Sequence, residues 1–160
     1  MSLSDELYRE TILDHYHNPR NQGTLEGDKV LSVEGVNPLC GDELVLYLKV
    51  ENDKVVDLAI KSRGCSINTA SCSMMTEAVK GQSLAQVEEM IETFKNMMMK
   101  PEVQDIPEEF EDLEALQGVK KYPVRIKCAL LPWNTLIEGL RCAESRASGS
   151  TEGPKTVSTE

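Results

Sequence analysis

Histidine and aromatic residues are scarce in this 160-residue chain, which has 2 His, 1 Trp, 2 Phe and 4 Tyr. A thiol or hydroxyl nucleophile needs a nearby base. The only imidazoles are His15 and His17, at the end of the first helical segment, where exposed helix-end histidines are the expectation. Cations are also short: 17 Lys plus Arg stand against 27 Asp plus Glu, for a net charge of −10 and a pI near 4.8. That balance excludes a general binder of nucleic acid or anionic membranes, because phosphate affinity comes from clustered cations. No apolar run approaches the roughly 18 residues of a membrane span. The glycines form neither a P-loop nor a dinucleotide fingerprint, and the cysteines form no CxxC knuckle. The opening Met-Ser-Leu-Ser-Asp-Glu-Leu lacks the charged-then-apolar pattern of a signal peptide. The expected location is therefore the cytoplasm, where thiols stay reduced.

What is present suits one globular domain, long enough to bury about 70% of its extended-chain surface without disulfides or metal. Leu3, Leu7, Ile12 and Tyr16 predict a helix over 4–17 that stops at Asn18-Pro19. Three strands follow: Val30 to Val36, an alternating run through Leu44, Leu46, Leu48 and Val50, and another through Val56, Leu58 and Ile60. Glu51-Asn52-Asp53-Lys54 joins the last two as a hairpin. The period then turns helical through Ile67, Ala70, Met74, Met75 and Ala78, with Gly81 as a C′ residue. Ser83-Leu84-Ala85-Gln86 predicts a capping box for a helix carrying Val87, Met90, Ile91, Phe94 and Met98. From Glu102 to Glu114 the chain holds seven acids and no cation. Phe110, Leu113 and Leu116 make this a short amphipathic helix stopped by Gly118. A last helix is expected from about Val124 to Arg146, with Pro132 as a start or kink. The expectation is an α+β domain over residues 1–146, a small three-stranded antiparallel sheet covered by helices, with an insertion at about 100–118 and a disordered tail over 147–160.

The five cysteines carry the chemistry. Cys40 lies in Asn37-Pro38-Leu39-Cys40-Gly41-Asp42, where Gly41 lets Cys40 and Asp42 face one point. Cys65 immediately precedes a helix, whose free N–H groups and positive dipole end favour thiolate. Cys128 sits among Arg125 and Lys127, cations that also favour thiolate. Three thiols and one carboxylate suit tetrahedral Zn²⁺. Spacing alone leaves buried core cysteines as an equal alternative; placement of Cys40 and Cys65 in glycine-bearing loops at strand ends favours the metal. Cys72 and Cys142 fall within helical apolar patterns and read as structural, as does the run Met97, Met98 and Met99.

Asn37-Pro38-Leu39-Cys40-Gly41-Asp42, Gly64-Cys65-Ser66-Ile67 and Val124-Arg125-Ile126-Lys127-Cys128 together resemble the IscU/NifU N-terminal family of iron–sulfur cluster assembly proteins. The opening Leu7-Tyr8 to His15-Tyr16-His17-Asn18-Pro19-Arg20-Asn21 is similar to the family's first helix and loop. Lys127 stands where housekeeping members have His, Lys121-Tyr122-Pro123-Val124-Arg125 replaces their Leu-Pro-Pro-Val-Lys, and the acidic insertion is extra. These departures look most like the SufU branch.

The resemblance implies Zn²⁺ bound by Cys40, Asp42, Cys65 and Cys128. It also implies persulfide sulfur accepted from a SufS-like cysteine desulfurase and passed to downstream iron–sulfur assembly proteins, a zinc-dependent sulfurtransferase-like activity. Cys40, on the loop next to Gly41, is the expected acceptor. Arg125 and Lys127 are the residues expected to steer the anionic persulfide or touch the partner. The alternatives are a direct scaffold for iron or a transient 2Fe–2S cluster, with zinc as surrogate, and a non-catalytic zinc-stabilised adaptor.

Overall fold

The computed structural model describes residues 3–102, 106–149 and 153–158. Helix α1 (Leu3–His17) leads into β1 (Val30–Asn37), β2 (Asp42–Glu51) and β3 (Lys54–Arg63), followed by α2 (Ser66–Val79) and α3 (Leu84–Met99). Short helical turns at Glu108–Phe110, α4 (Glu111–Glu114) and Ala115–Val119 precede the long α5 (Pro123–Ala147) and a final strand, β4 (Val157–Ser158). The fold is α+β, as expected.

The sheet corrects the expected three antiparallel strands: its order is β3-β2-β1-β4, with β4 parallel to β1 through Gly35 and Val157. The outer edge of β1 has backbone donors and acceptors to satisfy. Val157, the one aliphatic residue beyond Ala147, supplies a partner, while the Lys155 N–H donates to Glu138 Oε2 on α5 at 2.8 Å. Residues 153–158 of the expected disordered tail thus lie against the domain; residues 150–152 and 159–160 are outside the described residues.

Alternation in β1 and β2 sets the core. Leu31 and Val33, with Leu44, Leu46 and Leu48, point to the face covered by α2 and α5. The β2–β3 turn has positive φ at Asn52 (51°) and Asp53 (58°), the signature of a type I′ hairpin. Val56 breaks the expected β3 face and is 39% exposed, whereas Val55 is buried. The register runs from Lys49 opposite Asp57 to Val50 opposite Val55, so Val56 is the extra residue of a β-bulge and the side-chain phase shifts there.

The capping box at Ser83 and the C′ position of Gly81 are as expected. In α5, Pro123 occupies the first turn, and Pro132 lies inside the helix rather than starting it. Lacking an N–H, Pro132 leaves the Cys128 carbonyl without its helical donor. Phe94 stacks on Trp133 with ring centres 4.5 Å apart, joining α3 to α5. Met97 and Met98 are buried, but Met99 at the helix end is exposed.

Helix α1 differs from expectation in two ways. Leu7 and Tyr16 are exposed, and the inward side is Ile12 with His15. His15 is not an exposed helix-end residue but fully buried. Its Nδ1 lies 2.7 Å from Ser73 Oγ on α2, and its Nε2 lies 2.7 Å from Asp112 Oδ2 on α4. Packing of α1 on α2 covers the ring, and the acidic insertion brings in the carboxylate. Tyr8 adds a hydrogen bond from its hydroxyl to Glu114 Oε1 at 3.2 Å. Phe110, Leu113 and Leu116 are buried, as their spacing predicts; Gly118 lies within the last turn instead of ending it. Residues 103–105 of the insertion are outside the described residues.

Candidate metal centre

Strand alternation carries two polar side chains to the end of the covered face. Asn37 closes the inward series of β1, Asp42 opens that of β2, and the two are paired across the ladder. Both are almost completely buried. The connecting loop turns at Gly41 (φ +71°) and is fixed by a hydrogen bond from Cys40 N–H to the Asn37 carbonyl at 3.3 Å. Cys40 is half-buried and sits at the mouth of the site.

The β3–α2 junction closes over Asp42. Gly64 has φ +150°, and a Cβ built there would lie 2.8 Å from Asp42 Cα, so only glycine fits without displacement. Cys65 follows as the N-cap of α2. Its Sγ accepts from Asn68 N–H at 3.4 Å, and its own N–H donates to Asp42 Oδ1 at 2.8 Å. The second carboxylate oxygen, Oδ2, lies 3.7 Å from Cys65 Sγ.

Cys128 comes from the first turns of α5 and is fully buried. Its Sγ lies 3.6 Å from Asn37 Nδ2, an N–H donor, and 3.6 Å from the Val124 carbonyl, to which the thiol donates. Burial, with Asp42, Cys40 and Cys65 alongside, pushes this thiol up. Of the two cations expected to favour its thiolate, Arg125 is exposed and Lys127 half-buried, and burial of the sulfur acts in the opposite sense.

The ligand atoms of Cys40, Asp42 and Cys128 lie within 4.8 Å of one another. With Zn–S near 2.3 Å, a tetrahedral site has sulfur–sulfur edges of about 3.8 Å. The spacing and donor chemistry fit a zinc-sized ion. Cys65 joins the group beside Asp42 but stands outside that mutual set. Cys72 and Cys142 are fully buried, as their helical positions suggest, and burial raises the Cys72 thiol strongly. Around the mouth, Leu39, Tyr122 and Val124 are exposed. A groove of about 1000 Å³ lies elsewhere, with Leu31, Val50, Leu84, Ile137 and Leu140 among its lining residues and none of the thiols.

Two residues at the site escaped the reading of the sequence as functional groups. Asn37 appears there only as the start of a motif, and Asn68 not at all. Their signal is positional: a polar residue on the inward phase of β1, and the N3 position behind a cysteine N-cap.

Comparison with known proteins bears on what this site is for. The pattern of the NifU-like N terminal domain matches residues 7–129. The zinc-dependent sulfurtransferase SufU of Bacillus subtilis is 46% identical over 136 residues, covering 85% of this chain and 90% of that protein. The iron-sulfur cluster assembly scaffold protein IscU of Streptococcus pyogenes is 39% identical over 141 residues, covering 88% and 87%. Among solved structures, the N-terminal part of a nitrogen-fixing NifU-like protein from Brucella abortus superposes with a TM-score of 0.76 at 26% identity, covering 91% of this chain and 99% of that one.

Proposed function

The chain belongs to the family of NifU-like N-terminal domains, and on that premise we propose that it serves iron–sulfur cluster assembly as a zinc-bound sulfur acceptor. In this reading Cys40, Asp42, Cys65 and Cys128 hold the ion, a cysteine desulfurase of the SufS type is the donor, and the sulfur passes on to downstream assembly proteins in the cytoplasm. The observation that carries it is the convergence of Cys40, Asp42 and Cys128 at the end of the sheet, with Cys40 alone of the three at a partly open mouth. Bound zinc would keep the sulfurs as thiolates and shield them from oxidation.

The residues divide the work. Asp42 is oriented by the Cys65 N–H, so one carboxylate oxygen is committed to the protein and the other faces the sulfurs. Cys40 attacks as thiolate on the terminal sulfur of the donor persulfide. A sulfur–sulfur bond to Cys40 forms as the donor's own sulfur–sulfur bond breaks, and the donor cysteine leaves as thiolate. The negative charge of the Cys40 thiolate ends on the donor cysteine and the terminal sulfur keeps its own protonation state, so no oxidant or reductant enters. Exposed Leu39, Tyr122 and Val124 offer apolar contact to a docked donor, and Arg125 with Lys127 offers charge for the anionic persulfide.

The test is metal content and desulfurase stimulation in wild type and Asp42→Ala. One zinc per chain, lost together with stimulation, supports the reading; unchanged metal and activity remove Asp42 from it. A second reading, a direct cluster scaffold, draws on the scaffold named in Streptococcus pyogenes. Anaerobic addition of iron to the sulfur-loaded protein separates the two, since cluster absorbance is expected only of a scaffold. A zinc-stabilised adaptor would neither stimulate sulfide release nor take up persulfide.

A further inference from the structure

We propose that Asn37 is a positioning residue that holds the Cys128 sulfur as the fixed anchor of the donor set and leaves Cys40 as the thiol that moves. Asn37 is fully buried at the inward end of β1. Its side-chain nitrogen donates to Cys128 Sγ at 3.6 Å, and its backbone carbonyl accepts from the Cys40 N–H at 3.3 Å. One residue therefore contacts both cysteines, Cys128 at its sulfur through a side chain locked in the core and Cys40 only at its backbone N–H in the loop.

The other end of the same amide points to a role beyond packing. Asn37 Oδ1 is buried with no hydrogen-bond partner among the described residues. A buried polar atom left unpaired opposes folding, and an aliphatic residue of equal volume would avoid it. What the amide alone provides here is an N–H aimed at sulfur. Such a donor stabilises a sulfur that acts as acceptor and ties up electron density that a nucleophile would use. Groups that orient a metal ligand in this way typically change metal affinity 10- to 100-fold when lost. The sulfur-transfer half of this assignment rests on the function proposed above; the anchoring half rests only on the donor set.

Asn37→Leu keeps the number and branching of the side-chain heavy atoms while deleting both the donor and the orphan oxygen, and Asn37→Asp keeps the shape with an acceptor in place of the donor. Three measurements apply: urea unfolding of metal-free protein, zinc retention against a chromophoric chelator, and the thiolate-to-metal charge-transfer band of the cobalt-substituted protein. For Asn37→Leu the expected result is metal-free stability equal to or above wild type, zinc affinity lower by about 10- to 100-fold, and a shifted charge-transfer band. Zinc affinity within twofold of wild type overturns the assignment. So does a loss of affinity that merely follows a loss of metal-free stability, the mark of a packing role. After incubation with desulfurase and cysteine, peptide mass mapping should find the added sulfur on Cys40 in wild type and also on Cys128 in Asn37→Leu. Sulfur on Cys128 in wild type overturns the division of roles. If wild type takes up no sulfur at all, the sulfur-transfer reading fails, and the chelator and cobalt measurements still decide whether Asn37 anchors Cys128.

Discussion

Gly64→Ala should be one of the most damaging single-methyl changes in this protein. Gly64 holds φ +150°, a conformation L side chains rarely adopt, and the structure must supply about 1–3 kcal/mol to keep alanine there. The new Cβ would also sit 2.8 Å from Asp42 Cα and 3.0 Å from Asp42 Cγ, well inside ordinary contact. Relief requires backbone to move, because neither atom is the free end of a flexible side chain. Overpacking of this kind costs about 1–3 kcal/mol. The sum, about 2–6 kcal/mol, is a large share of the roughly 5–15 kcal/mol that holds a domain together. Gly41→Ala separates the two terms. It has φ +71° and nothing among the described residues within 4 Å of the added Cβ, so only backbone strain of about 1–2 kcal/mol applies. Urea unfolding of the metal-free proteins should rank wild type above Gly41→Ala above Gly64→Ala. Zinc competition should show Gly64→Ala weaker than wild type by more than about tenfold, because Asp42 and Cys65, both of the proposed ligand set, would be shifted. A Gly64→Ala protein as stable as Gly41→Ala, or one with full zinc affinity, would refute the close-approach argument.

Other perturbations probe the supports of the site. His15→Ala removes a fully buried ring with two 2.7 Å partners and should lower stability by about 2–4 kcal/mol; limited proteolysis should then cut faster within residues 106–119, which the ring ties to α1 and α2. Cys72→Ala should retain one zinc per chain by elemental analysis while losing about 1–2 kcal/mol in urea unfolding, and Cys72 of the native protein should resist alkylation near neutral pH because burial keeps its thiol protonated. The Glu138 carboxyl is held down to about 2, first by the hydrogen-bonded Arg141 guanidinium and then by the Lys155 N–H. Since its folded value lies below the ordinary 4.5, its stabilisation is present above about pH 4.5 and is lost as pH falls towards 2. Glu138→Gln should therefore be less stable than wild type by about 1 kcal/mol at pH 6, with the gap narrowing below about pH 4.5 and closing only towards pH 2 in urea unfolding; a gap independent of pH would exclude the charge as its source.

The parts of the molecule legible in the sequence are those whose signal is local. Leu44, Leu46 and Leu48 alternate because one face of β2 is buried, and Ser83 with Gln86 makes a capping box within a single turn. Residues whose role depends on distant partners were not legible. His15 lies near a helix end and carries no local sign that Ser73 and Asp112 will enclose it. Val56 follows the period-two pattern perfectly, yet a bulge against Val50 turns it outward. Two residues of β4 are too few to register as a strand; only the free edge of β1 and the Glu138 carboxylate give them a place. The thiols and Asp42 were readable because a glycine, a proline or a helix start stands beside them. Asn37 was not, since its importance lies in facing Cys128, 91 residues along the chain.

The four residues proposed to hold the ion come from the β1–β2 loop, the start of β2, the cap of α2 and the first turns of α5. Apart from Cys40 and Asp42 they are remote in sequence, so a chain emerging from the ribosome offers no chelating segment of its own. Cys128 appears last, and its sulfur meets the others only after α5 has packed across the sheet. On the proposed ligand set, metal capture is a step of maturation that follows tertiary assembly. The same proposal gives the choice of ion to the finished cavity rather than to any stretch of nascent chain.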